Sequence, residues 1–247
     1  MSELSPFTHE YDGERLSGVH GGGPGTVTAV VLHGAGNGGK ERLLPLVREF
    51  TAHGCRALAL DFSGHGESSG LLAELSLRRR FEQAVSVIDA YVPADGALVL
   101  VGFSMSGQTV ADLAAFYRDR VTALGLCAPA VYAAPAWDLP FGSGDGEFSA
   151  IIRRPGSWRE APALDVLRAY EGRAVLAVPG TDTVIPPEVT EAVQDALATR
   201  ARYTRFELPA AGHRLGLWFQ DHADDRREFV TALLAGRSEH ERTAALS

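Results

Sequence analysis

The chain has 247 residues, 45% of them hydrophobic and 22% charged, with a formal net charge of −8. That length fits one large α/β domain with a sizeable core, and the acidic balance argues against nucleic acid or an anionic membrane surface as a partner. No apolar run is long enough to span a bilayer. The opening stretch, residues 1–6, has neither the positive end nor the apolar core of a signal peptide, so a soluble, cytoplasmic protein is expected.

The elements follow in order. Residues 5–20 alternate around the turn signal Tyr11-Asp12-Gly13-Glu14 and predict an antiparallel hairpin. A glycine-rich break at 21–25 precedes a β-branched run over 26–32, which ends in His33-Gly34-Ala35-Gly36. Leu43, Leu44, Val47 and Phe50 share one face of a predicted helix over 40–53. A strand over 55–60 closes in Asp61-Phe62-Ser63-Gly64-His65-Gly66-Glu67-Ser68, and a helix over 79–91 follows. The basic run Arg78-Arg79-Arg80 reads as a solvated stretch opening that helix. Strands over 97–101, 121–128, 174–178 and 203–208 alternate with helices over 108–117, 187–198 and 218–234; the tail 237–247 is polar and expected to fray. Near-continuous apolar strands between helices predict a mostly parallel sheet covered on both faces. Cys55 and Cys127 lie in or beside strand-like runs and read as small buried hydrophobes, not as a disulfide or metal pair.

The chemistry centres on Gly102-Phe103-Ser104-Met105-Ser106-Gly107, between an apolar strand and a helix. A serine at a sharp strand-to-helix corner is a nucleophile elbow, with its hydroxyl lifted clear and the next backbone N–H aimed at the same point. Strand and helix pass closely there, so small residues are needed on both sides. Gly102 meets that need, and Ser106 stands where a second glycine is usual. A Gly/Ser-rich turn without chemistry is the bland alternative. The run 34–39 lacks both the Gly-Lys-Ser/Thr ending and the G-x-G-x-x-G order of nucleotide loops.

Four signals in order resemble the α/β-hydrolase superfamily over about residues 7–234: the His33-Gly34-Ala35-Gly36 loop, the D-x-x-G-x-G-x-S turn from Asp61 to Ser68, the elbow at Ser104, and a late acid-then-histidine pair. The resemblance implies a mostly parallel eight-stranded sheet flanked by helices, in a single domain over 1–247 with a small cap insertion at 131–173. It implies Ser104 as nucleophile, His213 as base and Asp182 as orienting acid, with Asp138 the backup acid. Asp182 keeps a proline four residues on, Pro186, although its glycine is one residue closer than usual, and an Asx-turn is the plainer reading of that aspartate. Met105 and Ala35 would supply the oxyanion N–H groups, with Gly36 an alternative to Ala35. His33 and His65 read as loop braces.

A serine nucleophile leaves out the aspartate- and cysteine-dependent branches of the superfamily. The expected activity is hydrolysis of a carboxylic ester or thioester of a small to medium apolar molecule through an acyl-enzyme. Lactonase, C–C bond hydrolase and acyltransferase or cyclase chemistry would use the same triad. A ligand-binding protein on a hydrolase scaffold is the non-enzyme alternative. No metal or organic cofactor is implied, because the triad supplies nucleophile and proton transfer unaided. Trp137, Phe141, Phe148 and Trp158 either roof an apolar substrate pocket or merely pack the insertion onto the sheet, with a hinge at 142–146. Arg153-Arg154 beside them faces an acidic substrate group or only solvent.

Overall fold

A computed structural model of the chain describes residues 3–23, 25–144 and 146–236. The tail expected to fray, 237–247, lies outside the described residues, as do Met1, Ser2, Pro24 in the glycine-rich break and Asp145 in the expected hinge.

Eight strands form one sheet among the described residues: β1 Ser5–Tyr11, β2 Glu14–Gly21, β3 Val27–Leu32, β4 Arg56–Leu60, β5 Ala97–Phe103, β6 Val121–Cys127, β7 Arg173–Pro179 and β8 Arg202–Leu208. Their spatial order is β1-β2-β4-β3-β5-β6-β7-β8. β1 and β2 form the opening hairpin, and β2 runs antiparallel to β4. Every later pairing is parallel. The hairpin turn puts Asp12 at φ 47° and Gly13 at φ 76°, the paired positive angles that match a tight turn to strand twist.

All six residues of β3 are buried, as a strand covered on both faces requires. Its side chains alternate between two cores. Val30 and Leu32 join the side built by α2 (Leu77–Tyr91), α3 (Ser106–Tyr117), α5 (Pro162–Ala169) and α6 (Pro187–Leu197). Val27, Ala29 and Val31 join the side built by α1 (Leu44–Ala52), α7 (Leu215–Asp221) and α8 (Ala223–Leu234). Buried side chains such as Phe50 and Phe229 each contribute about 2–3 kcal/mol by leaving water.

Three local expectations change. The helix over 40–53 is a 3-10 turn, Lys40–Leu43, followed by α1, with Pro45 in its first turn. The closing helix begins earlier, at Leu215, and breaks at His222 (φ −115°, ψ 84°) into α7 and α8. The corner is held by the His222 ring stacked on Trp218 and by a 2.7 Å bond from Trp218 Nε1 to Asp225. It lets Phe219 and Phe229 stack against each other at 5.2 Å over the sheet. Within 131–173, α5 belongs to the core layer through Ala163, Leu164 and Leu167. The part standing above it carries α4 (Glu147–Arg153) and short turns, and is tied down by Phe141 N–H to Leu75 and Gly142 N–H to Ala73, each 2.8 Å. The glycine at the start of the expected hinge is therefore clamped.

Candidate active site

β5 is central in the sheet, and Ser104 follows its last residue. Ser104 has φ 51°, a left-handed conformation that costs a non-glycine residue about 1–3 kcal/mol and persists only where its surroundings hold it. They do: its N–H donates to the Cys127 carbonyl at 2.9 Å, while its carbonyl accepts from Gly107 at 2.8 Å and Ala130 at 2.9 Å. A Cβ on Gly102 would collide with the Ser106 carbonyl and lie 2.7 Å from Val110 Cγ2, so glycine is required there.

The departure at Ser106 has a structural use. The Ser106 hydroxyl donates to the His33 carbonyl at 2.6 Å and accepts from Arg80 Nη2 at 2.8 Å. Arg80 Nη2 also donates to the His33 carbonyl at 2.6 Å. Arg80 is fully buried (0% exposed), which corrects the reading of the Arg78–Arg80 run as solvated. Its guanidinium lies 3.9 Å over the Phe62 ring, and its Nε and Nη1 have no hydrogen-bond partner among the described residues. Burial pulls its pKa down to about 9, so it remains charged at neutral pH. The signal was present in the spacing, because Leu77, Arg80, Ala84, Val87 and Ile88 share the buried face of α2.

The two glycine-rich turns are bound together by Asp61. Its carboxylate accepts from Lys40 N–H at 2.6 Å, Lys40 Nζ at 2.8 Å and Glu67 N–H at 3.1 Å. A Cβ on Gly39 would stand 2.8 Å from this carboxylate, and one on Gly66 would overlap it. Burial alone would lower the Lys40 pKa, but its bonds to Asp61 and Glu67 outweigh that and raise it. His33 donates from Nδ1 to the Gly34 carbonyl at 2.6 Å and accepts the Phe62 N–H on Nε2 at 3.1 Å, which fixes a neutral tautomer. Burial and then the Arg80 charge hold its pKa well below the usual value. His65 bonds the Ser63 carbonyl through Nδ1 at 3.0 Å.

Asp182 and His213 come from the turns after β7 and β8. The turns are joined where Gly180 N–H donates to Leu208 at 2.9 Å and Thr181 N–H to Ala211 at 3.0 Å. His213 Nδ1 lies 2.9 Å from Asp182 Oδ2, and its Nε2 lies 3.0 Å from Ser104 Oγ. The donors that satisfy both contacts are Nδ1–H toward the carboxylate and the Ser104 hydroxyl toward Nε2. The other oxygen, Asp182 Oδ1, accepts from Val184 N–H at 2.7 Å and Ile185 N–H at 3.1 Å. The Asx-turn and the histidine partner are thus one carboxylate using both oxygens. Asp138 is exposed and pairs with Arg78 at 3.0 Å.

A cleft of about 90 Å³ opens beside Ser104 and His213, walled by Gly34, Ala35, Arg42 and Leu217. Gly34 packs hard against the elbow, since a Cβ there would meet the Ser104 Cβ and the Phe103 carbonyl at 3.1 Å. Met105 is the N-cap of α3, and its side chain joins Leu77, Ala136 and Phe148 in a small cluster under the insertion. The four aromatic residues of the insertion do not wall this cleft. Phe148 is buried in the Met105 cluster, with the Phe141 ring 4.6 Å away. Trp158 packs on the core around α5. Trp137 walls a separate cavity of about 320 Å³ with Gln108, Asp112 and Tyr132. Arg154 pairs with Glu160 at 3.1 Å, and Arg153 is exposed. Cys55 and Cys127 are both buried and form no disulfide; burial raises the Cys127 thiol pKa well above its usual value.

The family model described as serine aminopeptidase, S33, matches residues 26–151. The chain belongs to this family. It is an α/β hydrolase, and the matched segment holds the His33 loop, the Asp61 turn and the elbow, while Asp182 and His213 lie beyond it. A search of curated protein sequences gives no match. Among solved structures, the hydrolase is similar to the thioesterase domain from the curacin biosynthetic pathway, at 17% identity and TM-score 0.71, over 93% of this chain and 99% of that one. It is similar to an esterase of Pyrococcus furiosus at 17% identity and TM-score 0.68, over 94% of this chain and 92% of that one. Est1E from Butyrivibrio proteoclasticus, solved with ferulic acid bound, matches at 17% identity and TM-score 0.66, over 93% of this chain and 99% of that one. At these identities the likeness speaks for the fold. No helix among the described residues is long and apolar enough to cross a membrane.

Proposed function

We propose that this hydrolase cleaves a carboxylic ester or thioester of a small acid through an acyl-enzyme formed on Ser104. The observation that carries the reading is the unbroken row from Ser104 Oγ through His213 to Asp182, at 3.0 and 2.9 Å, with the serine held at positive φ. His213 Nε2 takes the hydroxyl proton as Oγ attacks the carbonyl carbon, and Asp182 stabilises the imidazolium that forms. The backbone N–H groups of Ala35 and Met105 bind the oxyanion; losing one such donor typically costs about a hundred- to thousandfold in rate. The imidazolium then protonates the leaving alcohol or thiol. Water, deprotonated by His213, attacks the acyl-enzyme and returns Ser104 with the free acid.

An ester fits better than a peptide N-terminus. Among the described residues walling the cleft there is no carboxylate to hold a substrate ammonium. The cleft's small volume suits a short acyl group, and the insertion's aromatic side chains lie away from it. A fluorophosphonate probe, with mass spectrometry of the labelled peptide, tests the reading directly. The label should sit on Ser104, and Ser104→Ala should neither label nor turn over short-chain aryl esters. A folded wild-type protein that stays unlabelled would favour a ligand-binding protein on a hydrolase scaffold.

A further inference from the structure

The cleft beside Ser104 has an unusual charge pattern for a protein of net charge −8. Four titratable residues wall it: His33, Arg42, His213 and Arg214. His33 is held neutral by its two hydrogen bonds and its burial. That leaves two guanidinium groups and no carboxylate. Several other arginines are paired with carboxylates, as in Arg79–Glu14, Arg205–Glu207 and Arg226–Glu49. The side chains of Arg42 and Arg214 make no ion pair or hydrogen bond among the described residues.

Arg42 belongs to the 3-10 turn that follows the His33 loop. Its Cβ lies 3.7 Å from where a Cβ on Gly216 would stand, and its Nη1 lies 3.6 Å from the same point on Gly38. The side chain therefore spans from the histidine loop to the loop carrying the oxyanion donor. Arg214 directly follows His213 and is exposed. Its carbonyl accepts from Leu217 at 3.0 Å and Trp218 at 3.1 Å, which anchors its backbone at the start of α7. Both arginines wall the cleft that holds Ser104 and His213, and a forked guanidinium donor favours a carboxylate or phosphate over a neutral group.

We propose that the substrate carries an anionic oxygen group, a carboxylate or phosphate, held by Arg42 and Arg214 at the mouth of the cleft. The inference rests on the hydrolase reading and narrows its substrate class. The anion can sit on either half of the ester: on the acyl half, as in a dicarboxylic acid half-ester, or on the leaving half, as in an acidic alcohol or phosphorylated thiol.

Three esters separate these cases: para-nitrophenyl butyrate, mono-para-nitrophenyl glutarate, and the butyrate ester of a carboxy-nitrophenol. The expected result is a kcat/KM about tenfold or more higher for one of the two anionic esters than for the neutral one. The favoured ester names the half that carries the charge. The preference should shrink as salt is raised, because the arginines are open to solvent. Competition by glutarate against inorganic phosphate shows which anion is preferred. In Arg42→Gln, Arg214→Gln and the double variant, the anionic-to-neutral ratio should fall stepwise toward one. Equal kcat/KM for all three esters, or a loss that falls equally on neutral and anionic esters in the variants, overturns the proposal.

The Ser104→Ala protein provides an arm independent of turnover, because it can be titrated calorimetrically with the intact esters. Tighter, arginine-dependent binding of an anionic ester, with no hydrolysis by the wild type, would remove the hydrolase reading and leave the anion site standing. Brisk hydrolysis of the neutral ester with no anionic preference would do the reverse.

Discussion

The Ser106 hydroxyl donates to the His33 carbonyl oxygen at 2.6 Å, tying the helix behind the elbow to the loop that carries Ala35. A glycine at this position would leave that carbonyl to Arg80 alone. Ser106→Ala should therefore cost about 1–3 kcal/mol of stability, the usual range for a buried partner left incompletely bonded. It should also loosen the loop relative to Ser104, and a displacement of an ångström or less in such a constellation costs roughly ten- to hundredfold in turnover. Urea melts and ester kinetics on the same preparation check both halves. A stability loss with unchanged kcat would show that the tie does not position the loop.

Arg80 poses a related question, since burying a guanidinium with two unpartnered nitrogens is expensive. Arg80→Met removes the charge and keeps most of the volume over Phe62, whereas Arg80→Ala leaves a cavity, which typically costs about 2–5 kcal/mol. Arg80→Met should thus be clearly the more stable of the two by thermal or urea melting. Both should turn over esters more slowly than wild type, because both remove one of the two side-chain donors to the His33 carbonyl and leave it to Ser106. Equal stability of the two variants would mean that the charge, not the packing, sets the cost.

The two aspartates proposed for the acid separate cleanly. In Asp182→Asn the Oδ1 bonds to Val184 and Ile185 can persist, so the turn should stay folded. The amide facing His213 would be a donor where an acceptor is needed, leaving the imidazole in the wrong tautomer. Turnover should drop by about ten-thousandfold with little change in melting temperature. Asp138→Asn breaks only an exposed pair with Arg78, worth about 0–1 kcal/mol, and should leave kcat as it is. A large loss in the second variant and a small one in the first would move the acid to Asp138.

What could be read from the sequence was whatever close backbone contact dictates. Gly66 has its place because the Asp61 carboxylate fills the space where a Cβ would be, and Gly102 because Ser106 and Val110 crowd it. Such contacts are local, so they leave glycines at fixed offsets. What depends on distant packing was harder to read. Nothing near Trp137 or Trp158 indicates that the insertion turns its aromatic side chains toward Met105 and α5 rather than over the serine cleft. The break at His222 rests on its stacking with Trp218 and on the seat that Phe219 finds against Phe229. Arg80 is the intermediate case. Its buried face was visible in the α2 spacing, but its charge made solvent the simpler assignment.

The cavity walled by Trp137 leads to a prediction on pH. Asp112 lies in it, half-buried, with Gln108 Nε2 donating to its two oxygens at 2.9 and 3.2 Å and no cation paired with it among the described residues. Burial pushes its pKa up to about 7, and the Gln108 bonds offset only part of that. The folded state therefore prefers the protonated acid. Below about pH 4 both states are protonated and the group costs nothing. As pH rises from about 4 to 7 only the unfolded chain ionises freely, so stability from this group is lost across that window; above it the full cost remains, at most about 4 kcal/mol. Asp112→Asn keeps the acceptor for Gln108 and cannot ionise. Melting the two proteins at pH 4, 6 and 8 should give curves that agree closely at the lowest pH and separate as it rises, with the variant more stable at pH 8. Because the other titrating groups are common to both proteins, the difference isolates Asp112. A gap that stays constant across the series would mean that Asp112 titrates alike in the folded and the unfolded protein, with solvent or Gln108 supplying enough stabilisation to offset its burial.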